Sequence, residues 1–352
     1  MNRQNHPFLL HPEHPLIIKK LIISRTDSIG DVVLTLPLAG LMKKLYPGVR
    51  IWFIGRTYTG PVISACEHVD TFINWDEFSG QSSQKRIEYF KALQADAIVH
   101  VFPDRELANI AYQCKIPLRI GTSHRFYHWL YCNKLVHVGR KRSPLHEAQL
   151  NARLLAPLGI NHTPSLAELA SLTGLTRPVV LDSSYSQLLD PQRFNVILHP
   201  KSKGSAREWG LDNFSELIRL LPHDRYNIFI SGSSEDGLAL KAQIKSWGSN
   251  VTDITGKMAL EQFIAFIYNA DGLVAASTGP LHIAAALGKV AVGLFAPMRP
   301  IHPGRWSPLG MRAGYLVNEK QCRQCRHDKR CACIESITPS DVVLKLEQLQ
   351  DR

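Results

Sequence analysis

Long apolar runs are missing from this chain: none reaches the ~18 residues that a membrane-spanning helix needs, so no transmembrane segment is expected. The first fifteen residues carry three histidines and no apolar h-region, which argues against a secretory signal. A cytosolic protein is the expectation. Acidic residues are scarce beside basic ones, 30 against 41, leaving a net charge of +11. That balance favours anionic partners, whether nucleic acid, phosphorylated sugars or an acidic membrane surface. Seven cysteines in a cytosolic chain do not read as a disulfide framework.

What is present is the composition of a globular protein, spread over 352 residues. One core seldom grows that large, so two domains are expected. From residue 19 to about 121 strand-like and helix-like segments alternate. Residues 16–23, 51–54, 71–75 and 97–102 read as strands, and 34–45, 60–68 and 87–93 as helices. Residues 144–158 read as one long amphipathic helix, with Leu150, Leu154 and Leu158 on a common face. A stretch rich in turn residues, 172–193, reads as the connection between domains, with room for a short strand at Val179–Leu181. Strands at 194–199, 226–230, 273–276 and 290–295 and helices at 211–221, 235–247, 260–269 and 279–287 follow. Two βαβ series with a break between them imply an α/β protein of two Rossmann-like domains, 1–175 and 176–352, with the site in the cleft.

Three loops carry chemistry. Ser24 to Pro37 joins the first strand to a helix, and within it Gly30 permits close approach while Asp31 sits at the helix start, where free N–H groups stabilise a carboxylate. Ser28 and Asp31 equally fit a pattern that only caps the helix. His199 to Trp209 holds Lys201, Ser202, Lys203 and Arg207 ahead of a helix, cations and small residues suited to a diphosphate, or simply a charged loop. Glu235, after the next strand, fits acceptance from ribose hydroxyls, or simply a turn with a charged helix start. Ser277, Thr278, Gly279, Pro280, Leu281 and His282 close a buried strand and open a helix whose first N–H groups are free for an anion. His282 can face phosphate or a core carbonyl.

Basic residues and aromatics interleave between Arg119 and Arg142: His124, Arg125, His128, Lys134, Arg140 and Lys141 among Phe126, Tyr127, Trp129 and Tyr131. No nucleic-acid-binding motif accompanies them, so nucleic acid is not the expected partner and the segment reads as a solvated or acceptor-facing surface. Near the C-terminus Cys322, Cys325, Cys331 and Cys333 lie within twelve residues, enough thiolates for one structural zinc or iron ion. Cys66, Cys114 and Cys132 read as core residues.

Together the motifs resemble glycosyltransferase family nine, the ADP-heptose:lipopolysaccharide heptosyltransferases and their relatives. The resemblance rests on Ser28-Ile29-Gly30-Asp31 with Leu36-Pro37, on His199-Pro200 through Arg207-x-Trp209, and on Ser277 to His282. Trp306-x-Pro308-x-Gly310 and Ile337-Thr338-Pro339 fit as well, so it runs from about residue 20 to 345 in order. It implies a GT-B fold and inverting transfer of heptose, or a related sugar, from an ADP-linked donor to a lipopolysaccharide core or similar lipid-linked glycan at an anionic inner-membrane surface. Asp31 matches the family's general base, Arg207 and the helix N-termini would stabilise the leaving diphosphate, and no metal is implied for catalysis. Cys-rich tails recur in the family, and one branch looks like an iron binder. Two departures stand out: Arg207 where the family usually has Lys, and Ser277 where it usually has Asp. A GT-B nucleotide-sugar epimerase and a non-catalytic sugar-nucleotide- or glycan-binding protein are the other classes with this architecture.

Overall fold

The computed structural model describes residues 17–140, 143–299, 301–319 and 331–351. Two six-stranded sheets, parallel throughout, form separate halves. The first holds β1 Lys20–Ser24, β2 Arg50–Gly55, β3 Thr71–Asn74, β4 Ala97–His100, β5 Leu118–Thr122 and β6 Lys134–Val136, in the order β3-β2-β1-β4-β5-β6. The second holds β7 Phe194–His199, β8 Tyr226–Ile230, β9 Val251–Asp253, β10 Gly272–Ala276, β11 Val290–Phe295 and β12 Ala313–Val317, in the order β12-β11-β10-β7-β8-β9. Helices cover both faces of such sheets, so the central strands are apolar on both sides rather than alternating. Leu21, Ile22 and Ile23 of β1 are all fully buried.

Strand order reverses between β1 and β4 in one half and between β7 and β10 in the other. At such switch points neighbouring loops diverge and open a crevice beyond the carboxyl ends of the strands. The loops after β1, β7 and β10 are the three that the sequence marks for chemistry. They are therefore where an open α/β sheet binds ligands.

The halves are not loosely tethered. One apolar cluster runs through both, taking Ile23 and Phe53 from the first sheet and Ile197, Phe229 and Leu281 from the second half. Separate clusters fill the far side of each sheet, around Trp75 and Phe90 in the first and around Trp209 and Phe214 in the second. The last helix, Pro339–Gln350, packs against the helix Leu211–Leu220 and against β11 and β12. Trp209 is buried there and its indole N–H donates to the Ile337 carbonyl at 2.9 Å.

The sequence reading needs three corrections. Residues 144–158 are not one helix: Glu147–Ala152 is α-helical and Arg153–Leu158 tightens into a 3₁₀ segment that contains Pro157, which has no N–H to continue an α-helix. Val179–Leu181 forms no strand, and the helix at 60 ends at Ser64. The basic, aromatic segment contains β5, the edge strand β6 and a short helix, Phe126–Tyr131. No described helix is long and apolar enough to cross a membrane.

Candidate active site

Where β1 ends, the backbone of Arg25 still bonds to Ile54 of β2, so its side chain is fixed at the sheet edge, only 4% exposed. Its guanidinium meets three carboxylates. It donates to Asp27 through Nε at 2.7 Å and Nη2 at 3.0 Å, to Asp31 through Nη2, and to Glu147 through Nη1 at 3.3 Å. Burial works against its charge, but Asp31, Asp27 and Glu147 together hold its pKa above the ordinary arginine value.

Asp31 lies in the first turn of the helix Ile29–Val33. Ser28 stands at the N-cap in extended conformation, yet its hydroxyl donates to Asp31 Oδ2 instead of accepting a backbone N–H. The side chains thus do not form the capping pattern. The Asp31 carboxylate, with 18% of its side chain exposed, is oriented by Arg25 and Ser28 and keeps lone pairs for a further partner. Beside it Asp27 is pushed up to about 6, chiefly by burial, with Asp31 adding to the rise and Arg25 opposing it.

Behind this pair sits Glu147, wholly buried on the helix Glu147–Ala152. Arg140 donates to its Oε1 at 3.0 Å, and Arg305 reaches Oε2 through Nε at 2.9 Å and Nη2 at 2.8 Å. Burial alone would raise its pKa; Arg140, Arg25 and Arg305 outweigh that and hold it below the usual carboxylate value. Asn151, one turn on, accepts from Arg140 Nη2 at 2.9 Å and from Arg25 Nη1 at 3.3 Å. Arg305 comes from the second half, on the helix Pro303–Trp306, so this network crosses the cleft.

The cleft above the network has a volume of about 680 Å³. Arg25, Asp27 and Asp31 form one wall, His124, Arg125 and Arg140 another, and Arg305 and Trp306 close it from the second half. Asp31 is the one sequence-predicted site residue on its walls.

The remaining predicted residues gather at the carboxyl edge of the second sheet. Lys201 is paired with Glu208 at 2.6 Å, and Ser202 is folded inward, donating to the Ala206 carbonyl at 2.9 Å. Lys203 adopts φ +48° ahead of Gly204 at φ +83°, and its ammonium lies 3.6 Å from Glu235, whose side chain is 86% exposed. Arg207 is half-buried in the same loop. Thr278 and His282 are buried at the start of the helix Gly279–Ala286, with Leu281 in the core and Ser277, Gly279 and Pro280 half-buried. Among the described residues the Thr278 hydroxyl and His282 Nδ1 find no hydrogen-bond partner. Burial, with His146 nearby, pushes His282 down to about 3, so it is neutral.

This helix touches the Asp31 helix directly. A Cβ on Gly30 would lie 2.8 Å from His282 Cδ2, and one on Gly279 would lie 2.9 Å from Ile29 Cγ2. Gly30 therefore serves a helix crossing here, and His282 faces that crossing rather than the open cleft. Through it the candidate base and the candidate diphosphate loop share one junction.

Of the four clustered cysteines, Cys322 and Cys325 lie outside the described residues. Cys331 and Cys333 are buried in the second core. Cys66 and Cys132 are buried as expected, their thiols pushed up by burial to about 11 and about 12, while Cys114 is half-buried. The sequence reading missed Arg25, Asp27, Glu147, Asn151 and Arg305. Arg25 and Asp27 lie inside the marked loop, and two charged residues closing a buried strand were the available signal. Glu147 offered none.

Two parallel α/β sheets whose switch-point loops face one another across a cleft define the GT-B architecture of nucleotide-sugar enzymes. Residues 95–334 match glycosyltransferase family 9 (heptosyltransferase), and the chain belongs to that family. Lipopolysaccharide core heptosyltransferase OpsX of Haemophilus influenzae is 24% identical over 83% of this chain and 83% of its own length. A family 9 glycosyltransferase from Veillonella parvula superposes with a TM-score of 0.76 at 17% identity, covering 96% of this chain and 98% of that one. Escherichia coli heptosyltransferase WaaC, solved with ADP, gives 0.69 at 16% identity over 94% and 99%. The chain is a glycosyltransferase.

Proposed function

We propose that this protein transfers a heptose, or a closely related sugar, from an ADP-linked donor to a lipopolysaccharide core or similar lipid-linked glycan, with inversion at the anomeric carbon. One observation carries the reading: Asp31, oriented by Arg25 and Ser28, stands on the cleft wall while its own helix packs on the helix opened by Gly279. The names of the relatives, a lipopolysaccharide core heptosyltransferase and a heptosyltransferase solved with ADP, supply the donor and acceptor class.

In this reading the acceptor hydroxyl oxygen attacks the anomeric carbon as Asp31 takes its proton. The bond from that carbon to the diphosphate oxygen breaks, and ADP leaves with the electron pair. Lys201, Lys203 and Arg207, with the free N–H groups of the Gly279 helix, stabilise the charge that builds there. Glu235 is assigned to the ribose hydroxyls, and Ser277 and Thr278 to the diphosphate. Arg25 and Ser28 hold the Asp31 carboxylate in position for that step.

The test is ADP release from ADP-heptose with and without extracted lipid A core. Release that depends on the acceptor supports transfer. Tight binding of the donor without turnover on any glycan acceptor would overturn it in favour of a binding protein.

A further inference from the structure

Beside the mouth of the cleft the helix Phe126–Tyr131 turns three large apolar side chains to solvent: Phe126, Trp129 and Leu130, at 71%, 65% and 63% exposure. Their spacing of three and four residues puts them on one face. The other face is pinned, with His128 buried and its Nδ1 3.1 Å from the Thr122 carbonyl, and Cys132 buried behind it. Trp129 is itself held, its indole N–H donating to the Ser123 carbonyl at 3.0 Å. A single exposed apolar residue needs no explanation, but three on one face of an anchored helix are an unpartnered surface.

Its own stretch of the chain carries charge of one sign, and the acid that faces it is Asp104, at the N-cap of the neighbouring helix Arg105–Gln113, near Tyr127. Residues 107–146 contain seven Lys and Arg and no Asp or Glu. Arg125 and Lys134 flank the helix and are exposed. Tyr112, half exposed, widens the patch, its ring 5.8 Å from Tyr131 and 5.5 Å from the Arg119 guanidinium. Aromatic rings beside cations suit the headgroup region of a bilayer: the rings seat at the boundary with the acyl chains while the cations meet lipid phosphates.

We propose that this face docks on an anionic phospholipid bilayer, with Phe126, Trp129 and Leu130 entering the interface and Arg125 and Lys134 pairing with headgroups. His124 and Arg125, just ahead of the helix, line the same cleft as Asp31. Docking by this face brings the cleft mouth to headgroup level, where the sugar of a lipid-anchored acceptor would enter. This purpose rests on the acceptor class proposed above; the docking itself does not.

The experiment is co-sedimentation of the full chain with vesicles of phosphatidylglycerol and phosphatidylcholine, against phosphatidylcholine alone. Binding should require the anionic lipid, weaken with salt, and fall by about tenfold or more when Trp129→Ser removes one buried ring. Brominated lipid should quench tryptophan fluorescence in the wild type and much less in Trp129→Phe, which keeps an apolar ring at the same place. Failure to bind, equal binding by the Trp129→Ser variant, or a dimer in sedimentation velocity that shields Trp129 from quenching would overturn the proposal. None of these measurements depends on sugar transfer, so a negative result leaves the donor and acceptor assignment to be judged by ADP release.

Discussion

Arg305 of the second domain grips Glu147 of the first with two nitrogens, at 2.9 and 2.8 Å, across the floor of the cleft. Glu147 has no contact with water and is the shared counter-charge of Arg25, Arg140 and Arg305. Its charge is therefore needed both to join the halves and to hold the arginine that orients Asp31.

Glu147→Gln keeps the shape but leaves buried guanidinium groups short of a counter-charge. Breaking a buried pair in this way costs about 3 to 5 kcal/mol. Denaturant unfolding should show a loss in that range, and turnover should fall with it because Arg25 is released from its seat. Wild-type stability in the variant would mean that Asp27, Asp31 and solvent compensate the three arginines.

Gly30→Ala tests the helix crossing. The added methyl would sit 2.8 Å from His282 Cδ2, far inside ordinary contact, and the buried ring has little room to retreat. Overpacking of this kind costs about 1 to 3 kcal/mol. Because the helix carries Asp31, turnover should drop more than donor affinity. Unchanged melting temperature and turnover together would show that the two helices do not pack this closely in solution.

Much of this architecture is legible in the chain, and the limits have physical causes. β7, β8 and β11 and the helix Leu260–Asn269 begin and end where their apolar runs meet turn residues, because central parallel strands and their covering helices are buried throughout. β5 and β6 stand toward one edge of the sheet, and Arg119 and Lys134 break their apolar pattern. The Glu147 network is invisible in sequence for a different reason. Its arginine partners lie 7, 122 and 158 residues away, so no local spacing announces it. The Asp31 loop shows itself because strand, small residue and carboxylate are contiguous.

Acid should unfold the protein early. Burial pushes His100 and His282 down to about 3 and His199 to about 4, against 6.5 for the ordinary side chain. The unfolded chain binds protons at these sites first, so stability is complete above about 6.5 and is lost as pH falls toward the folded values. At pH 5 each costs about 2 kcal/mol. Asp27 works the other way, since its raised folded pKa favours the native state below about 6, but it is one group against three. Denaturant unfolding at pH 7, 6 and 5 should show a clear decline; a flat profile would contradict the burial of these rings as neutral groups.

Asp31→Asn separates a catalytic carboxylate from a structural one. Asn preserves the size of the side chain and can still accept from Arg25 or Ser28 through its carbonyl oxygen, but it cannot take a proton from the acceptor hydroxyl. If Asp31 is the base, turnover should fall by about 100-fold or more while donor affinity barely moves. The stability change should be modest because Arg25 retains Asp27 and Glu147 as counter-charges. If Asp31 serves only to seat Arg25, turnover should stay near wild type, and the loss should appear in the melting temperature instead. Donor affinity, turnover and melting temperature measured on this one variant decide between the roles, and near-normal turnover would end the assignment of Asp31 as the base.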